Sequence, residues 1–229
     1  MNSELKKREV RRMFDAIAYK YDFLNHFLSA GIDIYWRKKA LKLTGLKSEA
    51  ILLDVACGTG DFAIEAKKMG VNKIIGADFS FNMLSLFKKK SDWIIGKNVQ
   101  VAAEFLPLKN AVVTNITVAF GVRNFYDIPL AFESFFRVLK NEGKVTILEF
   151  SMPRNFILKL LYMFYFHSIL PLVGRLISKD NSAYTYLPDS VEEFDQKINL
   201  VKLLLDAGFK KAERKDLTFG LVQVVIAIK

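Results

Sequence analysis

One cysteine, Cys57, stands in 229 residues. It excludes an internal disulfide and leaves no cysteine cluster to hold a metal, and it suits a reducing compartment. No metal site is expected. The N-terminus, MNSELKKREVRRMF, is charged throughout and has no apolar core, so it does not read as a secretory signal; the expected location is cytoplasmic. No internal repeat, low-complexity tract or Pro/Gly/Ser linker divides the chain, and no run of five basic residues occurs. Hydrophobic residues make up half of the chain and charged ones a quarter, the balance of a globular protein. The length suits one sizeable domain with a modest insertion rather than two full cores. A net charge of +10 fits RNA, an anionic membrane surface or a merely lysine-rich composition. The lysines are scattered, densest over Lys6–Arg12 and Lys88–Lys90, which favours the last of these.

Short β-rich apolar runs alternate with helical patterns through the middle of the chain. Strands are expected over Ile51–Ala56, Lys73–Asp78, Val99–Ala102, Asn115–Phe120 and Lys144–Phe150. Helices are expected over Phe62–Met69, Asn82–Lys90 and Pro129–Leu139, the last with proline in its first turn. Alternation of this kind predicts an α/β fold with a parallel, doubly wound sheet. The end of the chain differs. An amphipathic helix over Val191–Ala207, closed by Gly208, precedes two β-like runs, Phe209–Leu217 and Leu221–Ile228. Three residues, with Phe219-Gly220 among them, separate the runs, too little for a helical crossover, so they must be antiparallel. A mostly parallel sheet ending in an antiparallel hairpin is the outline of the class I methyltransferase fold.

After the first strand comes LDVACGTGD, with Gly58-x-Gly60-x-x-Ala63 at the spacing of a nucleotide-binding loop. Such a turn lets a ligand approach bare backbone at a helix N-terminus. A dinucleotide would bring its pyrophosphate there. S-adenosylmethionine brings an ammonium and a sulfonium instead, and Asp54 and Asp61 bracket the loop with negative charge. They favour the cationic ligand. Asp78 ends the next strand eighteen residues after Gly60, the spacing for gripping ribose hydroxyls in either cofactor. Asp61 as a helix N-cap and Asp78 as a turn cap are the plainer alternatives. Cys57 reads as a small filler inside the loop.

The fourth strand ends VAFGVRNFYD, at the edge where ligand crevices open in such sheets. The Asn/Asp-Pro-Pro-aromatic stretch of base amino-methyltransferases is absent, and Cys57 is misplaced for the nucleophile of a pyrimidine C5-methyltransferase. Arg123 is either a surface cation beside Asp127 or a group that steadies a phenolate or orients a water.

With these motifs the chain resembles the C-methyltransferases of menaquinone and ubiquinone biosynthesis. MFDAIAYKYDFLNHFLSAGIDIYWRK is similar to the family's first signature. LDVACGTGD, FGVRN and RVLKNEGKVTILEFSMP follow in the family's order. FHSILPLVGRLISKDNSAYTYLPDSVEEF resembles its second signature, and AGFKKAERKDLTFGLVQVVIA its last strands. The resemblance runs from about Met13 to the end. It implies one methyltransferase domain over 1–229, with an N-terminal helical segment over 1–48 and a helical lid over about 152–190. It implies transfer of the methyl of S-adenosylmethionine to a ring carbon of a polyprenylated quinol, leaving S-adenosylhomocysteine. Carried over by position, the cofactor contacts are Thr59 in the loop, Asp78 at the ribose, Ala102 and Ala103 by the adenine, and Ala119 nearby, beside the loop's own candidates Asp54, Gly58 and Gly60. The catalytic groups are Tyr21, Asp61, Arg123 and Asn124. Ala102 replaces the amide or acid, and Ala119 the serine, that relatives carry, so apolar contacts such as Phe79 are expected to hold the adenine.

The most apolar stretch, Phe156–Ser178, approaches a membrane span in length, but Lys159, His167, Pro171 and Arg175 interrupt it. A pair of core helices broken at Pro171 explains it plainly; a lid forming a channel for a prenyl tail, with peripheral attachment to anionic lipid, is the functional reading. His167, Tyr184 and Tyr186 are candidate substrate contacts within or after it. The leading expectation is a demethylmenaquinol methyltransferase, with the ubiquinone precursor 2-methoxy-6-polyprenyl-1,4-benzoquinol as the alternative acceptor. A basic RNA-binding methyltransferase and a noncatalytic relative of the fold are the rivals from other classes; no nucleic-acid partner is expected. Oligomeric state is open, a homo-oligomer included.

Overall fold

The computed structural model describes Arg12, Ser29, residues 31–165, Ser168 and residues 182–229, with the backbone alone over 182–188. Tyr21, His167 and the expected break at Pro171 lie outside the described residues, as do most of segment 1–48 and the side chains of Tyr184 and Tyr186.

Helix α1 (Ile32–Thr44) leads into the alternating series: β1 (Ile51–Val55), α2 (Asp61–Lys68), β2 (Lys73–Asp78), α3 (Phe81–Lys90), β3 (Asn98–Gln100), β4 (Val113–Ala119), α4 (Ile128–Val138) and β5 (Leu139–Phe150). After α5 (Phe156–Phe164) come α6 (Ser182–Lys197), α7 (Leu200–Asp206), β6 (Lys211–Leu217) and β7 (Val222–Ile228). The strands form one seven-stranded sheet in the order β3-β2-β1-β4-β5-β7-β6. All pairs are parallel except those of β7, which runs antiparallel to both β5 and β6. The doubly wound sheet and its terminal hairpin are as the alternation and the short Phe219-Gly220 connection require.

Side chains that alternate along each strand separate two cores. Leu53, Val55, Ile116 and Val118 face Phe132 and Phe135 of α4 and Leu200 and Leu204 of α7. Leu52 and Ile74 face Trp36 and Leu41 of α1, Phe62 and Ala66 of α2, and Phe87 of α3. The sheet is thus covered on both faces, which is what its near-continuous apolar strands need. Asp127 caps α4, its side chain accepting from the Leu130 amide at 2.9 Å, with Pro129 in the first turn.

Two elements differ from expectation. The helix expected over Val191–Ala207 is two helices, because Asn199 turns its side chain onto the Lys202 amide (3.0 Å) and starts α7 afresh. That local bond competes with continuation of α6. Strand β5 begins at Leu139, not Lys144. Its register against β4 shifts between Val113 and Asn115, and Glu142 takes a φ of 61° at the irregularity.

Candidate functional site

Strands β1 and β4 are neighbours whose connections leave in opposite directions, β1 toward β2 and β4 toward β5. A crevice opens at their carboxyl ends, the place where ligands bind in open α/β sheets. The two ends close on each other tightly. A side-chain carbon on Gly121 would stand 2.6 Å from the Ala56 Cβ, so a glycine is needed there.

The glycine-rich loop is fixed from three directions. The Cys57 amide donates to the Ala77 carbonyl at 3.1 Å, the Gly60 amide to the Cys57 carbonyl at 2.8 Å, and the Gly58 amide to Asp78 Oδ2 at 2.8 Å. Gly58 and Gly60 take φ of 54° and 90°, and a Cβ on Gly60 would lie 2.2 Å from the Phe87 ring. Asp78 uses its other oxygen on the Ser80 amide, also at 2.8 Å. Phe79 and Ala102 are half-buried and Ala103 is buried, and Ala119 is half-buried at the end of β4. Burial and the Asp78 and Asp54 charges push the Cys57 thiol up, the opposite of an activated nucleophile and in keeping with a filler.

Asp54 is wholly buried under the loop. It accepts from Thr117 Oγ1 on β4 at 2.7 Å and from the Ala63 amide on α2 at 3.1 Å. Burial pushes its carboxyl up to about 7, with those two hydrogen bonds pulling the other way. Asp61 is the first residue of α2, whose cap position belongs to Gly60, so the cap reading of Asp61 does not hold. Its carboxylate pairs instead with Lys90, and Arg37 Nη2 stands 3.9 Å away. Lys90 also reaches Thr59 Oγ1 at 3.5 Å.

Beyond the loop, the Phe120 and Phe150 rings stack with centroids 4.4 Å apart. Trp36 meets both edge-on at 6.2 and 6.1 Å and donates to Thr218 Oγ1 at 2.7 Å. The guanidinium of Arg37 lies over Phe120 at 5.4 Å, and that of Arg123 over Phe150 at 5.5 Å. Arg123 is not a surface cation beside Asp127. Its side chain is 8% exposed, bonded through Nη1 to Glu149 and, at 3.2 Å, to the Phe120 carbonyl. Asp127 is occupied as the cap of α4, and wholly buried Glu149 on β5 supplies the counter-charge. Asn124, half-buried, follows in the same turn, its amide donating to the Gly121 carbonyl at 3.0 Å.

Helix α5 covers this end of the sheet. Tyr162 turns inward, where burial pushes its hydroxyl up and the Arg123 charge pulls it down. Phe156, Ile157, Leu160, Leu161 and Phe164 of the same helix remain exposed. Among the described residues no helix is long and apolar enough to cross a membrane. The sequence singled out neither Glu149, Arg37, Lys90 nor Tyr162. Glu149 lies in an apolar strand run, where a lone buried acid is itself a signal; the others read as ordinary helix residues.

The family model of the ubiE/COQ5 methyltransferases matches residues 2–229. The chain belongs to this family. Its sequence is 44% identical over 225 residues to a protein of Geotalea daltonii named ubiquinone/menaquinone biosynthesis C-methyltransferase UbiE, covering 96% of this chain and 95% of the other. It is 42% identical to a Chlorobaculum tepidum protein named demethylmenaquinone methyltransferase, covering 97% and 93%. A solved S-adenosylmethionine-dependent methyltransferase of Thermotoga maritima shares the fold, with a TM-score of 0.65 at 18% identity over 95% and 99% of the two chains. This ubiE/COQ5 methyltransferase is an enzyme that takes its methyl from S-adenosylmethionine. The crevice fits that cofactor on its own terms. Bare loop backbone and Asp78 at the next strand's end suit a nucleoside without phosphate, while Asp54, expected to bracket the ligand with Asp61, is buried beneath the loop and holds it to β4 and α2 instead.

Proposed function

We propose that this enzyme methylates a ring carbon of a polyprenylated quinol, converting demethylmenaquinol to menaquinol. The observation that carries the acceptor half is Arg123. It is a guanidinium buried beside stacked aromatic rings, held by Glu149, one turn beyond the cofactor crevice and beneath an apolar helix.

S-adenosylmethionine supplies an electrophilic methyl on a positive sulfur. The residues of the chain make the ring carbon ready for it. Arg123 faces the quinol hydroxyl and stabilises, directly or through one ordered water, the phenolate formed as the hydroxyl proton passes to solvent. The negative charge passes to the adjacent ring carbon, which would form the new C–C bond as the C–S bond breaks and its pair stays on sulfur; the ring proton then passes to solvent and aromaticity returns. Half-buried Phe150, backed by the stacked Phe120 ring, gives the quinol an apolar wall, and Asn124, with Tyr21, orients it. Alignment of carbon, methyl and sulfur supplies much of the acceleration. Asp61, beside the loop, favours positive charge at the cofactor. The exposed face of α5 receives the prenyl tail and rests on anionic lipid.

The test is transfer of labelled methyl from S-adenosylmethionine to quinols extracted from membranes, with mass identification of the product. Gain of one methyl on a naphthoquinol is expected; gain on a methoxybenzoquinol would replace the acceptor by the ubiquinone precursor. Arg123→Ala and Asp61→Ala proteins that fold, bind cofactor and turn over normally would refute the assigned roles.

A further inference from the structure

The guanidinia of Arg37 and Arg123 each leave a buried Nε unpartnered among the described residues of the crevice, and that of Arg37 makes the fewer hydrogen bonds. Arg37 is only 5% exposed. Among the described residues its one hydrogen bond runs from Nη1 to Asp33 Oδ2 at 2.5 Å, and Ser29 Oγ holds the other oxygen of Asp33 at 2.8 Å. Nε is buried without a partner. Nη2 faces Asp61 Oδ2 at 3.9 Å, beyond hydrogen-bonding reach. A guanidinium has five donors, and leaving buried ones empty is costly unless something fills them. The empty donors share one edge. Nε–H and Nη2–H project side by side, the fork that grips both oxygens of a carboxylate.

We propose that Arg37 receives the α-carboxylate of the cofactor's methionine end, while neighbouring Asp61 takes its α-ammonium. The proposal rests on the use of S-adenosylmethionine and assigns which residues read its amino-acid end. Position and charge agree. Asp61 opens α2 directly after the glycine loop, and Arg37 lies over Phe120 at the end of β4, so the pair spans the crevice between β1 and β4. The carboxylates Asp54, Asp61 and Asp78 draw the cationic parts of the ligand, yet they repel its one anionic group. A fixed cation at this end removes that conflict. Lys90 is a weaker candidate, since its side chain is 32% exposed and already engages Asp61 and Thr59. Arg37 is pre-oriented by Asp33 on the preceding turn and by the Phe120 ring, so little freedom is lost on binding.

Three ligands dissect the contact by isothermal titration. S-adenosylhomocysteine carries carboxylate and ammonium, its decarboxylated analogue the ammonium alone, and 5′-methylthioadenosine neither. The wild-type protein is expected to bind S-adenosylhomocysteine about ten- to a hundredfold more tightly than the decarboxylated analogue, the size of a charge-assisted pair. Arg37→Gln should abolish that preference while leaving the 5′-methylthioadenosine affinity within about twofold, which also reports an intact fold and adenosine site. Arg37→Lys should retain part of it, as a point charge without the fork. Equal wild-type affinity for the first two ligands would overturn the proposal without any variant, and so would a preference that survives in a folded Arg37→Gln protein. If the wild-type protein binds none of the three, it is the cofactor reading that fails.

Discussion

Burial lifts the Asp54 carboxyl to about 7, far above its ordinary 3.8, because the loop and two strands remove it from water. A cation placed above it favours the ionised form. Cofactor binding should therefore release a proton, and affinity should climb as pH rises through about 7. Titration in two buffers of different ionisation enthalpy measures this, and Asp54→Asn should flatten the profile. The effect on folding has the opposite sense. Between the ordinary carboxylate range and about 7 the folded protein holds a proton that the unfolded chain has lost. This group's contribution to stability is thus whole below the unfolded value and is lost as pH rises through about 7. Glu149 and Arg123 make a second buried pair, and breaking one side strands the other charge. Glu149→Gln should cost about 3–5 kcal/mol in urea unfolding, whereas Arg123→Met with Glu149→Met should recover most of that stability and none of the methyl transfer. At this scale the sequence was legible where chemistry is local. The loop glycines, Asp61 and Asp78 announce themselves by spacing. Arg123 announces a cation at a strand end, but its partner lies 26 residues further on, and only the pairing of β4 with β5 brings them together.

Among the elements, the glycine loop is the least tolerant. Gly60→Ala would force a Cβ into the Phe87 ring at a φ of 90°, so both stability and cofactor affinity should fall, the first by more than 1 kcal/mol at the order of such backbone strain. Thermal unfolding with and without S-adenosylhomocysteine separates the two losses. Gly96→Ala is the control for positive φ, since nothing lies within 4 Å of its added carbon. Most strands and helices could be read from period and punctuation, because buried parallel strands are continuous apolar runs bounded by turns. The failures have physical reasons. LKNEGK has the composition of a turn, yet neighbouring strands hold Leu139–Gly143 in an irregular extension of β5. Asn199 sits within an apolar periodicity that spans two helices, and its capping bond is invisible to that periodicity.

For the whole molecule, the exposed apolar row on α5 runs from Phe156 to Phe164, and the turn that carries exposed Phe219 comes close to the chain just before the helix, an added carbon on Gly220 lying 3.5 Å from the Pro153 Cα. With a net charge of +10, this surface should bind vesicles containing anionic lipid and leave neutral ones, with salt weakening the attraction. Co-sedimentation checks it. Activity that depends on tail length without any vesicle binding would keep the lid and reject the attachment. Leu160→Ser with Leu161→Ser should reduce methylation of long-tailed quinols more than of short-tailed ones. The overall architecture was the most legible level of all, since alternation and one short final connection leave few topologies. The acceptor was legible only through segments that resemble a family, because an apolar crevice beside a cofactor does not itself name a quinol.

The packing of the two tryptophans has a practical consequence. Trp36 touches both stacked rings on the acceptor side, one residue from Arg37, while Trp93 lies edge-on to Phe87, which backs Gly60 of the loop. Each half of the crevice therefore has its own intrinsic fluorophore. A Trp36→Phe protein should brighten or dim only when the nucleoside enters, whereas a Trp93→Phe protein should respond to the quinol as well, since Trp36 adjoins both Arg37 and the stacked rings. The order in which the two substrates arrive can then be read in a stopped-flow cell without attaching any label.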